Sequence, residues 1–272
     1  MSRVVILLGM HRSGTSLIAN WMHHCDIKLG DNYYTGTIGN EDGHYEDIDF
    51  LNLHEEIFLS YNLDPSGLKS WKLPSEIDET HFNKIKHLID KKNKLHNEWG
   101  WKEPRTCMYL QYYRELLPDA KYLIILREPA QVVDSLLRRD LLVLKLHFQQ
   151  NHPWKYKTFS ILYWWYKVQI AKQTEEIYLQ AWIAYNEKVV EHLSSIDKNQ
   201  RMILCFDQVQ SNQNSIFDFM ENAGFKIKRQ DFQTVFKPKM IKKKKMKLSY
   251  SSSLLIKKAN QIYNNLLEKS SF

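Results

Sequence analysis

The residues best suited to chemistry stand near the start of the chain. Val4-Val5-Ile6-Leu7-Leu8 runs into Gly9-Met10-His11-Arg12-Ser13-Gly14-Thr15-Ser16, and apolar residues at helical spacing follow. This reads as a strand, a loop bounded by two glycines, and a helix start. Backbone N–H groups in such a loop form a concavity for an anion, and the helix N-terminus adds partial positive charge. Against the pattern G-x4-G-K-[ST], the loop keeps both glycines and Ser16 but has Thr15 where lysine is required. The missing lysine would reach β- and γ-phosphates, so ATP or GTP hydrolysis is disfavoured. Arg12, inside the loop, supplies a cation instead.

A second candidate anion contact lies downstream. Tyr122-Leu123-Ile124-Ile125-Leu126-Arg127-Glu128-Pro129 ends an apolar run in an arginine, and Ser135 follows eight residues later. An arginine offers charge and a two-pronged donor, and a serine in the first turns of a helix offers a hydroxyl.

Together these two elements resemble the donor-binding elements of sulfotransferases that use 3′-phosphoadenosine 5′-phosphosulfate (PAPS). His11-Arg12-Ser13-Gly14-Thr15-Ser16 is similar to the loop that holds the 5′-phosphosulfate, with Arg12 where many members carry lysine. Arg127 and Ser135 match the pair that holds the 3′-phosphate. Two more segments resemble a bacterial branch of the family, Gly43-His44-Tyr45-Glu46-Asp47 and Trp99-Gly100-Trp101-Lys102-Glu103-Pro104-Arg105-Thr106. The resemblance covers residues 4 to about 140 and fades beyond about residue 225.

The resemblance implies transfer of a sulfonate group from PAPS to a hydroxyl acceptor, by analogy a carbohydrate, through in-line displacement. Arg12, Ser13, Gly14, Thr15, Ser16, Arg127 and Ser135 are then the donor-binding residues. Negative charge builds on the bridging 5′-phosphate oxygen as the bond breaks, and Arg12 is placed to meet it by electrostatic clamping. Lys102 and Arg105 are cations unsuited to proton abstraction; both are candidates to clamp the sulfonate or hold the acceptor. Glu46 is the first choice for the base, with His44 and Asp47 next. His44 and Arg105 are the candidate acceptor contacts. The alternative role for Glu46 is an acid that stabilises or caps the following helix. No metal is called for: His23-His24-Cys25 lacks ligand spacing. A nucleoside or small-molecule kinase with a modified loop, or a non-catalytic nucleotide-binding protein, are the competing readings.

These residues need a frame to hold them. Arg3–Leu8, Lys121–Leu126 and Arg201–Phe206 are short and almost wholly apolar, as strands buried on both faces of a parallel sheet are. Helical spacing is expected over Thr15–His24, Asp47–Ser60, His81–His96, Pro129–Leu144, Thr174–Ser195, Asn214–Ala223 and Ser253–Lys269, with Gly224 ending the sixth of these. Strand and helix in alternation predict an α/β fold, a parallel β-sheet flanked by helices in three layers. With the resemblance, that is a P-loop nucleotide-binding, sulfotransferase-like architecture. All 272 residues are read as one domain.

Composition narrows the setting. The chain is 43% hydrophobic and 25% charged, with a formal net charge of +7, and no apolar run approaches a membrane span. Seven lysines lie between Lys237 and Lys247, which equals the whole excess. One local tract is not the spread basic face of a nucleic-acid binder, so no nucleic acid is expected. The tract is read as an anion contact, a peripheral membrane contact or a solvated loop. Cys25, Cys107 and Cys205 are too few and too scattered for a disulfide scaffold, and no export signal is visible. A cytoplasmic protein is expected. Trp154, Tyr163, Trp164, Trp165 and Tyr166 form a dense aromatic cluster, read as a sugar-stacking surface or as a core or lid helix.

Overall fold

The structure is a computed structural model, and it describes residues 2–33, 43–152, 159, 161–236 and 247–271. Four strands, β1 (Arg3–Leu8), β2 (Glu98–Lys102), β3 (Lys121–Leu126) and β4 (Arg201–Cys205), form a parallel sheet in the order β2-β1-β3-β4. Among the described residues, eight α-helices accompany them: α1 (Thr15–His24), α2 (Ile48–Ser60), α3 (Glu79–Leu95), α4 (Leu110–Leu116), α5 (Pro129–Asn151), α6 (Tyr163–Leu193), α7 (Gln213–Asn222) and α8 (Ser253–Glu268).

Period-two alternation divides the sheet between two cores. Val4, Ile6 and Leu8 of β1 and Tyr122, Ile124 and Leu126 of β3 face a cluster that includes residues of α2 to α6 and α8. Val5 and Leu7, with Leu123 and Ile125, face the opposite cluster beside Ile18 and Trp21 of α1 and Ile216 and Phe217 of α7. Both faces of every interior strand are apolar because both are covered. The α/β, three-layer expectation therefore holds.

Several bounds differ from expectation. β4 ends at Cys205, because Phe206 opens a 3₁₀ turn over Phe206–Gln208. α5 continues to Asn151 and α6 begins at Tyr163, and the two extensions meet where Phe148 lies 5.5 Å from Tyr166. β2 was not expected at all. Its sequence, EWGWK, carries a glycine in the middle and charges at both ends. Gly100 is there for space: a Cβ on it would lie 2.1 Å from the carbonyl oxygen of Val5 on the neighbouring strand. The Pro104–Tyr109 3₁₀ turn and α4 also went unforeseen.

The strand order places a switch point at β1 and β3. The chain leaves β1 toward β2 on one side, then returns across β1 to β3 on the other. Ligands bind at such points, beyond the C-terminal ends of the strands. The Gly9–Gly14 loop follows β1, Lys102 ends β2, Arg127 follows β3 and Phe206 follows β4. The remaining candidates come from the segment before α2, from the first turns of α1 and α5 and, for Arg105, from the 3₁₀ turn after β2.

Candidate active site

The glycine-bounded loop is fixed by what it packs against. Gly14 has φ +97°, and a Cβ there would come within 2.1 Å of the Phe206 ring, so only glycine fits. Gly14 also caps α1 without any side-chain cap bond, and the first turn of α1 holds no acidic residue. That end of the helix keeps its positive character for an external anion. Arg12 adopts φ +67°, a left-handed conformation that is costly for a side chain of its size. The turn aims its guanidinium across the loop.

There it meets the second anion element. Arg12 Nε donates to Ser135 Oγ at 3.0 Å, and Arg127 Nη1 donates to the Arg12 carbonyl oxygen at 2.9 Å. Arg127 is steadied on every side: its Nε donates to Gln131 Oε1 at 3.1 Å, its carbonyl accepts from Trp182 Nε1 at 3.2 Å, and its guanidinium lies 5.2 Å over the Phe206 ring. Two arginines that the sequence reading missed complete the group. Arg138 and Arg139 lie three and four residues beyond Ser135 on α5, the spacing that shares a helix face, and that spacing was the signal. Burial, then repulsion from Arg139, Arg127 and Arg138, pulls Arg12 down to about 10. Arg12 remains protonated near neutral pH, in a setting where an anion would relieve both penalties.

On the other side of the loop, Lys102 gathers three of the predicted residues. Its Nζ donates to Glu46 Oε1 at 2.7 Å, to the His44 carbonyl at 3.0 Å and to Ser16 Oγ at 3.2 Å. Lys102 and Glu46 are both buried. Tyr45, between His44 and Glu46 in the chain, takes a positive φ of 52°. The His44 imidazole is lowered by burial, which outweighs the pull of Glu46, and Lys102, Arg12 and Arg139 push the same way as burial.

Helix capping falls to the neighbour of Glu46. Asp47 is the N-cap of α2 and accepts from Asp49 N at 2.9 Å. Its other oxygen accepts from buried Lys92 Nζ at 2.8 Å, which also reaches Asp31 at 2.8 Å. Asp47 is thus committed to structure, and the capping role weighed for Glu46 belongs to it.

Arg105 departs from its expected place among the acceptor contacts. It is 2% exposed; its Nε donates to Glu103 Oε1 at 2.7 Å, and its Nη1 serves Glu55 at 3.2 Å and the Pro65 carbonyl. Glu103 caps the 3₁₀ turn by accepting from Thr106 N at 3.1 Å on Oε2, the same oxygen that bonds His54 Nδ1. His54 Nε2 meets Tyr113 Oη at 2.6 Å, and Trp101 Nε1 donates to Thr106 Oγ1 at 2.9 Å. Burial would raise Glu103, but the charges of Arg105 and His54 hold it far below the usual carboxylate range. The Trp101–Thr106 segment is therefore a buried brace with one residue, Lys102, turned toward the loop.

His11 lies beside this brace. Its ring centroid is 6.0 Å from that of Tyr185, and burial followed by the charge of Arg105 keeps the imidazole neutral. Its Nε2 and Tyr185 Oη are buried without a hydrogen-bond partner. His23 packs on Tyr33 at 5.7 Å, and among the described residues no three His, Cys, Asp or Glu side chains converge as a metal site. Residues 237–246 of the lysine tract, Gly39–Asp42 and Trp154 lie outside the described residues. Tyr163, Trp164 and Trp165 are exposed, so they are not core.

No family model matches the chain, and no curated protein matches it in sequence. Solved structures do resemble it. The sulfotransferase STF9 from Mycobacterium avium aligns over 100% of this chain and 77% of its own, with a TM-score of 0.61 and 11% identity. STF1 from Mycobacterium tuberculosis covers 97% and 77% at a TM-score of 0.49 and 10% identity. A sulfotransferase from Alicyclobacillus acidocaldarius covers 88% of each at 0.47 and 15%. The STF9 alignment spans the sheet, the loop and the flanking helices alike: this chain has the fold of a bacterial sulfotransferase.

Proposed function

We propose that this protein is a PAPS-dependent sulfotransferase that transfers the sulfonate to a hydroxyl acceptor, with a carbohydrate as the preferred class. The observation that carries the reading is the 3.0 Å contact between Arg12 and Ser135. It joins the loop suited to the 5′-phosphosulfate to the helix suited to the 3′-phosphate, within one group of four arginines. A donor with two separate anionic ends suits that arrangement better than a linear triphosphate does.

In this reading the loop N–H groups, Thr15 and Ser16 receive the 5′-phosphate, while Arg127 and Ser135 receive the 3′-phosphate. Arg12 stabilises charge that grows on the bridging oxygen, with its donors already in place. Glu46 accepts the acceptor hydroxyl proton. Lys102, bonded to both Glu46 and Ser16, holds the carboxylate against the loop and offers a cation to the sulfonate as it moves in line. Buried, unpaired cysteines fit a reducing compartment, and we assign the enzyme to the cytoplasm.

A thermal-shift comparison tests the proposal. Stabilisation by 3′,5′-bisphosphoadenosine, with none from ATP and magnesium, is expected, because a ligand that binds only the native state raises its stability. The reverse pattern would favour a kinase.

A further inference from the structure

The paired helices α5 and α6 end in a surface the candidate site does not use. Phe148 of α5 lies 5.5 Å from Tyr166 of α6, and Phe159 stacks on Tyr166 at 5.2 Å. Just past this contact the apolar side chains turn outward. Ile161 is 82% exposed, Trp164 70% and Trp165 54%, and Leu162, Tyr163 and Val143 are exposed as well. Contiguous apolar exposure of this kind marks an interaction surface.

The surrounding sequence says which kind. From Leu141 to Thr174 there is no acidic residue, whereas there are five lysines and eight aromatic residues. Lys167 Nζ sits 4.8 Å over the Trp164 ring, so charge and aromatic face are presented together. The buried centre of a protein–protein interface is depleted in lysine. Tryptophan and tyrosine beside lysine, without carboxylates, suit the headgroup layer of a membrane, where an amphipathic ring and a cation are both satisfied. Lysines near such a surface are drawn to anionic lipid.

Position fits as well. Ser135, which touches Arg12, and Phe148 are on the same helix, and 13 residues of α5 span about 20 Å. Docking at the far end of α5 leaves the loop end clear of the bilayer.

We propose that the exposed Ile161–Trp165 surface, with Lys167, docks this protein on anionic membranes. The test is flotation of the full chain with phosphatidylcholine vesicles, with and without phosphatidylglycerol. Expected are binding to the anionic vesicles alone, its loss in Trp164→Ala/Trp165→Ala, and a drop of about fivefold in Lys167→Gln. Circular dichroism and bisphosphoadenosine thermal shift, unchanged in the variants, show that the fold is kept. Binding that persists in the double tryptophan variant overturns the proposal and moves the contact elsewhere, such as the lysine tract. No binding to either vesicle overturns it too, and a dimer that the same double variant dissolves would identify the surface as a contact between copies.

Discussion

Lys102 and Glu46 form a buried ion pair at 2.7 Å, and the same ammonium reaches Ser16 at 3.2 Å. One cation therefore links the proposed base, which precedes α2, to the loop after β1. Truncating Lys102 would leave a buried carboxylate without its counter-charge, a change far larger than the loss of one contact. Variants that preserve shape are the informative ones.

Glu46→Gln keeps an oxygen for Lys102 but removes the basic lone pair. Turnover should fall by about 10²–10⁴-fold while bisphosphoadenosine affinity is kept. Steady-state kinetics, with calorimetry for the nucleotide, check this. Turnover near wild type would remove Glu46 from catalysis and leave His44 as the candidate.

Arg12→Ala should reduce turnover by about 10²–10³-fold, the range for a lost charge-stabilising donor. Arg12→Lys should recover part of it, keeping charge but losing the bond geometry that reaches Ser135. Burial and the charges of Arg139, Arg127 and Arg138 penalise the Arg12 cation, so a bound anion should relieve that penalty. Steady-state kinetics for turnover and titration calorimetry for bisphosphoadenosine check both variants. An Arg12→Ala variant that keeps most of its turnover would show that Arg12 only shapes the loop.

Arg127→Ala and Ser135→Ala should each weaken bisphosphoadenosine by about 1.5–3 kcal/mol through loss of charge-assisted bonds to the 3′-phosphate. Acceptor affinity should hardly change. For Arg127 there is a second route of damage, since its Nη1 also holds the Arg12 carbonyl. Ser135→Ala likewise removes the acceptor of Arg12 Nε, so the two variants are read together, and unchanged affinity in both would refute the 3′-phosphate assignment.

The brace behind Lys102 predicts acid sensitivity. Glu103 has its carboxyl lowered from 4.5 by Arg105 and His54, which overcome burial. A carboxyl lowered on folding contributes stability that is present above its unfolded value and is lost as pH falls below it. Wild-type melting temperature should therefore drop steeply below about pH 4.5. Glu103→Gln should start less stable, by about 3–5 kcal/mol, and lose less on acidification. Parallel pH slopes in the two proteins would show that the brace is not what acid attacks.

Much of this protein is written locally. β1, β3 and most of β4 are legible as apolar runs, because a strand buried on both faces needs no polar alternation. The loop after β1 is legible because glycines, an arginine and hydroxyls stand at fixed offsets within eight residues. Tertiary structure decided what crosses the sheet. β2 hides behind Gly100, whose reason is a carbonyl on another strand. Whether a cation clamps substrate or props the scaffold depends on its burial and partners: Lys102 turns to the loop, while Arg105, three residues later, is held by Glu103. Glu46 and Asp47 are adjacent acids that local sequence cannot rank. One caps α2 and pairs with Lys92, and the other pairs with Lys102. Those partners lie 45 and 56 residues away, so only the folded chain separates the two roles.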